Sequence, residues 1–422
     1  MSQRSVSCTL MVSLTRQVVR ENLARVRASM NSNALTSTLV LPSLTMVVQV
    51  VDAADLARLE TDWSELLPDS PEAVFLSLEW CQLVWDTFGH EPRTAVYVVR
   101  DRGKPVGLLP VWRRRMNRFG LFRRVSEAYG GRRGDYSHPL LSDCSDERAL
   151  RALLRAAITG AQQDGALILP NVPADGDWSE RVRAALVAEG VQFTETQAEC
   201  FRTRLPSTFR EFTEAVQGKF RREVRRRLRK LEEDLGSATL ERVRSPAEAR
   251  RLLPVFFEMH DRRWVQAGQP GAFSDPDMRR YFFAMVDHLW DRLHVSVLQA
   301  GDTAAAISFG MTSGRALLFF KTTFDTELSG YAPGKVQMWL IFQEAIEEGL
   351  GLVDFLQGEE AYKGEWATHS MTTSTFVVKT KRPSFTYWWL TEGRGQAEKT
   401  FGKLYLRFAT LVARLRRRLR PP

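Results

Sequence analysis

The residues with the most evident chemical capacity in this chain sit at 331–335, Tyr331-Ala332-Pro333-Gly334-Lys335. Proline is tolerated in the first turn of a helix because its missing N–H would have no partner there. The sequence therefore predicts a helix start, with free backbone N–H groups, a glycine and a lysine beside it. Such a start is either a phosphate site or an ordinary helix end with an exposed lysine. A second candidate is the glycine-rich basic loop Gly130-Gly131-Arg132-Arg133-Gly134-Asp135-Tyr136. It is an anion cradle or a plain connection, and the lack of a strand–GxGxxG–helix context favours the connection. A third is the run KFRREVRRRLRKLEEDL at 219–235. Phe220, Val224, Leu228, Leu231 and Leu235 recur at spacings of three and four, which makes a narrow apolar stripe with cations over the rest. Those cations face either solvent or a polyanion, and no interleaved aromatic set suggests base stacking. Four cysteines (Cys8, Cys81, Cys144 and Cys200) show neither a CxxC nor a local base. Zinc, a disulfide framework and a cysteine nucleophile are all disfavoured, and a reducing cytoplasm fits.

The elements that must position these residues follow from periodicity. At 422 residues and 44% hydrophobic the chain supports two or three domains with full cores, and its net charge is +9. No apolar run is long enough to predict a membrane span. Residues 1–45, rich in Ser, Thr, Asn and Arg, are expected to be a disordered extension, or to precede a true start at Met46. A strand at 46–51, two helices with Leu56, Leu59, Trp63, Leu66 and then Leu76, Trp80, Leu83, Val84 inward, a hairpin, a strand, and alternating helices and strands make a mixed domain over 46–205. The second domain spans 206–380. It holds the basic helix, a strand, a helix from Ser245 to His260-Asp261-Arg262-Arg263-Trp264, another helix, and a three-strand meander. A helix from Pro333, a strand at 352–356 and a strand at 372–378 complete it. The order of elements reads as two copies of one α/β (α+β) architecture without a visible sequence repeat. Residues 381–422 form a tail in which Leu404, Phe408, Leu411, Leu415 and Leu419 line one side of a basic helix. It either packs on the body or lies on an anionic membrane.

At Asp354 and the run Phe355-Leu356-Gln357-Gly358-Glu359-Glu360-Ala361-Tyr362-Lys363-Gly364-Glu365-Trp366, the chain resembles the GNAT acyltransferases of the CelD-like branch of bacterial polysaccharide biosynthesis. These have tandem GNAT-like halves related in shape to the Fem peptidyltransferases. The resemblance covers about 46–380 and extends to Pro105-Val106-Gly107-Leu108-Leu109-Pro110, the basic helix and the His260–Trp264 segment. It implies that acyl-CoA, acetyl or longer, lies between the strands at 316–324 and 352–356, with its pyrophosphate at the Pro333 helix start. Phe320, Lys321, Tyr331, Pro333, Gly334 and Lys335 would then contact the donor. The usual phosphate loop, Q/R-x-x-G-x-G/A, is absent, so another acyl carrier stays open.

Acyl transfer to an amine needs a proton acceptor, donors to polarise the thioester carbonyl, and an acid for the leaving thiolate. Under the resemblance, His260 is the expected base, Asp354 a base or substrate-orienting group, and Tyr362 the acid. Arg263, Trp264, Glu359 and Lys363 would face the acceptor, Lys363 holding a phosphate or carboxylate. No metal is expected. The implied activity is N-acylation of an amino sugar, an envelope glycan precursor or a lipid-linked amine, in the cytoplasm or at the inner face of the membrane through the tail. A Fem-like aminoacyl transferase that uses tRNA, and a non-catalytic GNAT scaffold for polysaccharide synthesis, are the alternatives.

Overall fold

The computed structural model describes residues 37–40, 46–88, 95–118, 121–129, 133–143, 146–358, 360–380, 385–388 and 390–391. The basic tail beyond 391, most of the N-terminal extension, and Glu359 lie outside the described residues.

Fourteen strands form one sheet. They are β1 (Ser37–Val40), β2 (Met46–Asp52), β3 (Ala95–Asp101), β4 (Lys104–Arg118), β5 (Leu121–Ala128), β6 (Leu140–Leu141), β7 (Ala166–Pro173), β8 (Phe193–Arg204), β9 (Ala238–Arg242), β10 (Leu293–Ala300), β11 (Thr303–Ser313), β12 (Ala316–Phe324), β13 (Leu352–Gln357) and β14 (His369–Lys379). Their order across the sheet is β1-β2-β3-β4-β5-β7-β14-β8-β13-β12-β11-β10-β9, with β6 beside β4. Ser37–Val40, read from composition as part of an extension, pairs antiparallel with β2; a four-residue strand is too short for composition to reveal.

Each half is an antiparallel run that ends in one parallel step. β2 to β5 run antiparallel, and β5 then pairs parallel with β7 across the helix Glu147–Gly160. β9 to β12 run antiparallel, and β12 pairs parallel with β13 across the helix Pro333–Glu347. A parallel step needs such a crossover because a tight turn cannot reverse the chain twice. The two halves exchange their last strands: β14 of the second half lies between β7 and β8 of the first, and β8 pairs with β13. The division at 205/206 falls just after β8, while the sheet runs on across it.

The predicted helix at 75–88 is two pieces, Ala73–Leu76 and Leu78–Phe88. Ser77 breaks it, its hydroxyl donating to the Val74 carbonyl at 2.9 Å and accepting from the Trp80 N–H at 3.2 Å. A serine that caps the next turn in this way competes with helix continuation. Phe75 and Trp80 then pack with Phe256, Phe273, Tyr281, Phe282 and Leu318 in a core shared by both halves. Each such fully buried side chain contributes on the order of 2–3 kcal/mol, so the halves are joined by apolar burial as well as by strand exchange.

The basic helix Gly218–Leu235 buries Val224 and Leu231 and leaves Lys219, Arg222, Arg225, Arg226, Arg229 and Lys230 exposed. Its inner side meets the turn before Pro333: Arg227 donates to the Gly330 carbonyl, and Lys230 lies 5.4 Å from the Tyr331 ring centre. Among the described residues, no helix is long and apolar enough to cross a membrane.

Candidate active site where two strands part

β12 and β13 pair at only three positions, Ala316–Leu352, Leu317–Val353 and Leu318–Asp354. Beyond them each strand turns away for its own reason. On β12 the register against β11 slips between Phe309 and Met311, so Phe319 and Phe320 lie opposite Gly310 alone. Glycine suits that position, because a Cβ there would lie 3.0 Å from the Leu318 carbonyl oxygen. On β13, Leu356 adopts φ 59° and the pairing with β8 slips between Asp354 and Gln357. A cleft of about 340 Å³ opens between the parted strands.

Both halves line it. β12 supplies Phe319, Phe320 and Lys321, and the turn after β13 supplies Gln357, Glu360, Tyr362 and Lys363. The helix Pro246–Gln266 adds His260, Arg263 and Trp264. The first half reaches in with Arg133 and Asp135 from its glycine-rich loop. Asp135 accepts from the Gln357 N–H at 3.2 Å. Its neighbour Tyr136 is fully buried and donates to Asp354, with its hydroxyl 2.8 and 3.0 Å from the two carboxylate oxygens.

Asp354 does not face the cleft. It is the third residue of β13 and has no exposed surface. Besides Tyr136, it accepts from Arg202 Nε at 2.8 Å and from the Leu356 N–H at 2.8 Å. Burial raises its pKa while Arg202 opposes the rise. With its oxygens committed to these donors, it braces the cleft wall and presents no lone pair to a ligand.

His260 lines the cleft but sits deep, edge-on to Phe273 at 4.8 Å. Its Nδ1 is buried without a hydrogen-bond partner. Asp261 Oδ1 is 3.6 Å away and accepts instead from the Phe273 N–H at 3.0 Å. Burial, helped by the Lys321 charge, drives the imidazole pKa down to about 4. His260 is therefore neutral at pH 7 and a weak base.

Asp135 behaves in the opposite sense. Burial pushes its carboxyl up to about 6, and the Asp354 charge adds to this against the Gln357 N–H, Lys363 and Lys321. A carboxyl tuned toward neutrality is the property expected of a proton acceptor that works at pH 7. Lys321 is half-buried, and burial lowers its pKa while Asp135 and Glu360 oppose the fall. Burial pushes Tyr362 up to about 12. Lys363 closes the turn from within, donating to the Gln357 carbonyl at 2.7 Å and pairing with Glu360 at 2.9 Å. Arg263 lies over the Phe324 ring at 4.7 Å, and Trp264 is 36% exposed at the rim.

The residues expected to hold a donor divide. Phe320 and Lys321 are in the cleft. Pro333 and Gly334 open the crossover helix behind a left-handed Ala332 (φ 51°), with no side-chain cap. There the Lys335 and Val336 N–H groups turn back on the Ala332 carbonyl at 2.9 and 3.2 Å, which narrows the amide cradle. Lys335 is not a free charge, since its ammonium pairs with Glu365 at 2.8 Å and lies 3.8 Å from Glu223. Tyr331 donates to Asp234 of the basic helix at 2.8 Å.

Arg133, Asp135, Gln357 and Glu360 were not among the expected site residues. The glycine-rich loop stood out in the sequence, but nothing local to it shows that it meets β13, more than two hundred residues later. The equivalent parting in the first half is filled. β5 and β7 separate after Glu127–Ile168, and Asn171 (φ 53°) donates there to the Gly134 carbonyl at 2.8 Å and accepts from the Ser137 N–H at 3.1 Å. The crossover helix there is capped by Asp146, whose carboxylate takes the Arg148 and Ala149 N–H groups at 3.0 and 3.2 Å, so a carboxylate already stands where a phosphate would bind.

Residues 218–364 match the family described as Acetyltransferase (GNAT) domain. Among solved structures, the chain is similar to FemX, with a TM-score of 0.55 and 14% identity over 75% of this chain and 95% of that one. It is also similar to a conserved protein of unknown function from Bacteroides thetaiotaomicron VPI-5482, with a TM-score of 0.50 and 14% identity over 77% of this chain and 97% of that one. No curated protein matches it. The fold is thus a mixed α/β one with tandem GNAT-like halves, and the second half carries the GNAT domain match.

Proposed function

We propose that the protein is an N-acyltransferase that moves an acyl group from an acyl-CoA thioester to an amine, using the cleft between β12 and β13. The observation that carries this reading is the parting of those strands inside the GNAT-matched segment, with Asp135 and Lys321 facing one cleft. The acyl arm enters between the strands, and its phosphates lie toward the Pro333 helix start. The acceptor ammonium first gives a proton to Asp135, and the neutral amine attacks the thioester carbonyl. The carbon–sulfur bond breaks, Tyr362 protonates the leaving thiolate, and the second nitrogen proton restores Tyr362. Lys321 stabilises the oxyanion, as a fixed cation in a half-buried site does far better than in water. His260, neutral, lines the donor side, and Asp354 positions Asp135 through Tyr136. Trp264, Glu359 and Lys363 belong to the acceptor side, and Arg263, over Phe324, to the donor side.

In keeping with the CelD-like resemblance, the acceptor is an amino sugar, an envelope glycan precursor or a lipid-linked amine, with the tail as the contact to an anionic membrane. The halves 46–205 and 206–380 then divide the work: the second binds the donor, and the first completes the site. Titration calorimetry with CoA thioesters of increasing chain length tests the reading, and heat from none of them ends it.

The exposed cations of Gly218–Leu235, next to the donor helix start, favour one second reading, a Fem-like transferase that takes its aminoacyl group from tRNA. That reading requires tRNA binding that weakens steeply with salt. Absent or salt-insensitive binding removes it.

A further inference from the structure

The cleft holds more positive charge than its own acids answer. Arg133, Arg263 and Lys321 line it, are half-buried, and make no ion pair within 4.0 Å among the described residues. The other charged groups are already committed. Glu360 pairs with Lys363 at 2.9 Å, and Asp354 with Arg202 at 2.8 Å. Asp135 and Glu360 act on Lys321, Glu360 on Arg263, and Asp275 and Asp277 on Arg133, none of them as an ion pair with these three cations. Half-burying a guanidinium without a counter-ion is costly, and burial lowers the pKa of both arginines and of the lysine. A site that keeps such groups unpaired is built for an anion brought by the ligand.

The cations do not form one cluster. Arg263 lies over Phe324, at the end of β12 that leads to the Pro333 helix, which is the donor side. Arg133 comes from the first half's loop, over the Phe88 ring at 3.8 Å and with Nη1 3.1 Å from the Met278 sulfur. Both partners are too weak to satisfy a guanidinium, and its planar fork suits a phosphate or carboxylate. Asp135 stands two residues along the same loop, where an ammonium would sit.

We propose that the acceptor is an amine that also carries an anionic group, a phosphate or a carboxylate, with the anion received by Arg133 and the amine by Asp135. This rests on the acyltransferase reading for the word acceptor, but the subsite itself is read by binding alone. Lys321, which lines the same cleft and interacts with Asp135, faces the reacting carbonyl.

The test uses the full chain and three amino sugars of matched size: glucosamine 6-phosphate, muramic acid and glucosamine. Calorimetry is expected to show one or both anionic sugars binding about 10- to 100-fold tighter than glucosamine, the span of a charge-assisted hydrogen bond. The one that gains more names the anion. Arg133→Gln is expected to bring that preference to within about threefold, and Arg133→Lys to restore part of it. Thermal unfolding of each variant separates a lost subsite from a lost fold. Acetyl-CoA titrated into the same samples reports the donor side, so failure of the acyltransferase reading is seen apart from failure of the subsite. Equal binding of glucosamine, no binding of either anionic sugar, or an undiminished preference in folded Arg133→Gln overturns the proposal.

Discussion

Tyr136 and Asp354 meet across the junction of the two halves, the phenolic hydroxyl 2.8 Å from one carboxylate oxygen and 3.0 Å from the other. The contact joins the first half's glycine-rich loop to β13 across a sequence separation of 218 residues. Asp135 is next to Tyr136, and Gln357 is three residues after Asp354, so the same contact sets the 3.2 Å hydrogen bond from Gln357 to Asp135. Arg202, on β8, completes the clamp and also pairs with Asp175. Asp354 thus fixes where the proposed proton acceptor stands without touching the cleft.

Removing Asp354 is therefore expected to cost both fold and function. Asp354→Ala leaves the buried Arg202 with Asp175 alone, and breaking a buried pair from one side costs about 3–5 kcal/mol. Tyr136→Phe removes one buried hydrogen-bond donor, costs about 1–3 kcal/mol, and loosens Asp135. Urea unfolding measures the first quantity. For Tyr136→Phe, kcat/KM is expected to fall in a protein that still unfolds cooperatively. Full activity in that variant would mean that Asp135 does not depend on the clamp.

The pH dependence distinguishes Asp135 from His260 as the base. Asp135 titrates near 6 in the folded protein, against an ordinary value of 3.8. The folded state thus binds this proton more tightly than the unfolded one. The relative stability it brings is complete below pH 3.8 and is lost as pH rises through about 6. Asp135→Asn is expected to match the parent near pH 3 and to exceed it at pH 7 by up to about 3 kcal/mol. Activity moves the other way: kcat/KM rises with pH, inflects near 6, and collapses in Asp135→Asn. His260 falls to about 4, so a base at that residue would place the inflection two units lower.

Lys321 carries a similar trade between stability and function. Its ammonium is half-buried, has no ion-pair partner within 4.0 Å among the described residues, and is further disfavoured by Lys363. Lys321→Met keeps the stem and deletes the charge. It is expected to raise stability by about 1 kcal/mol and to lower kcat by about 10²–10³-fold. Thermal unfolding and steady-state kinetics on one preparation read both effects. A variant that is both less stable and fully active would remove Lys321 from the mechanism.

Much of this architecture was legible because it is written locally. The meander of β10 to β12 follows from tight Gly-containing links, and the Pro333 helix from its proline and its apolar face. The stripe of the basic helix buries Val224 and Leu231 at the spacing the sequence sets. The exchange of β8 and β14 is not local, since either strand pairs as well with its own half by pattern alone. The site was legible in part for the same reason. Phe320, Lys321, His260, Arg263, Trp264, Tyr362 and Lys363 all line the cleft, because they belong to the element order of one half. Arg133 and Asp135 come from the other half, and only the packing of the two brings them in. Asp354 was conspicuous as an acid near a strand end, yet burial and Arg202 turn it inward.

Gly358 offers a test of how tightly the acceptor-side turn is held. Its φ of 129° lies in a region that side chains avoid, and a Cβ there would collide with the Glu360 carboxylate. That carboxylate holds Lys363, whose ammonium also closes on the Gln357 carbonyl at 2.7 Å. Gly358→Ala is expected to cost about 1–3 kcal/mol from backbone strain and collision together. The damage is expected to reach activity first, because the turn carries Tyr362 and Lys363 into the cleft. Glu360→Ala removes the closer colliding group and leaves the backbone strain and the Lys363 ammonium 2.8 Å from the new Cβ, so the double variant should be more stable than the sum of the two single changes by at least about 0.5 kcal/mol. If the two changes add, the Glu360 carboxylate contributes nothing to the strain at Gly358 and is not what shapes this wall of the cleft.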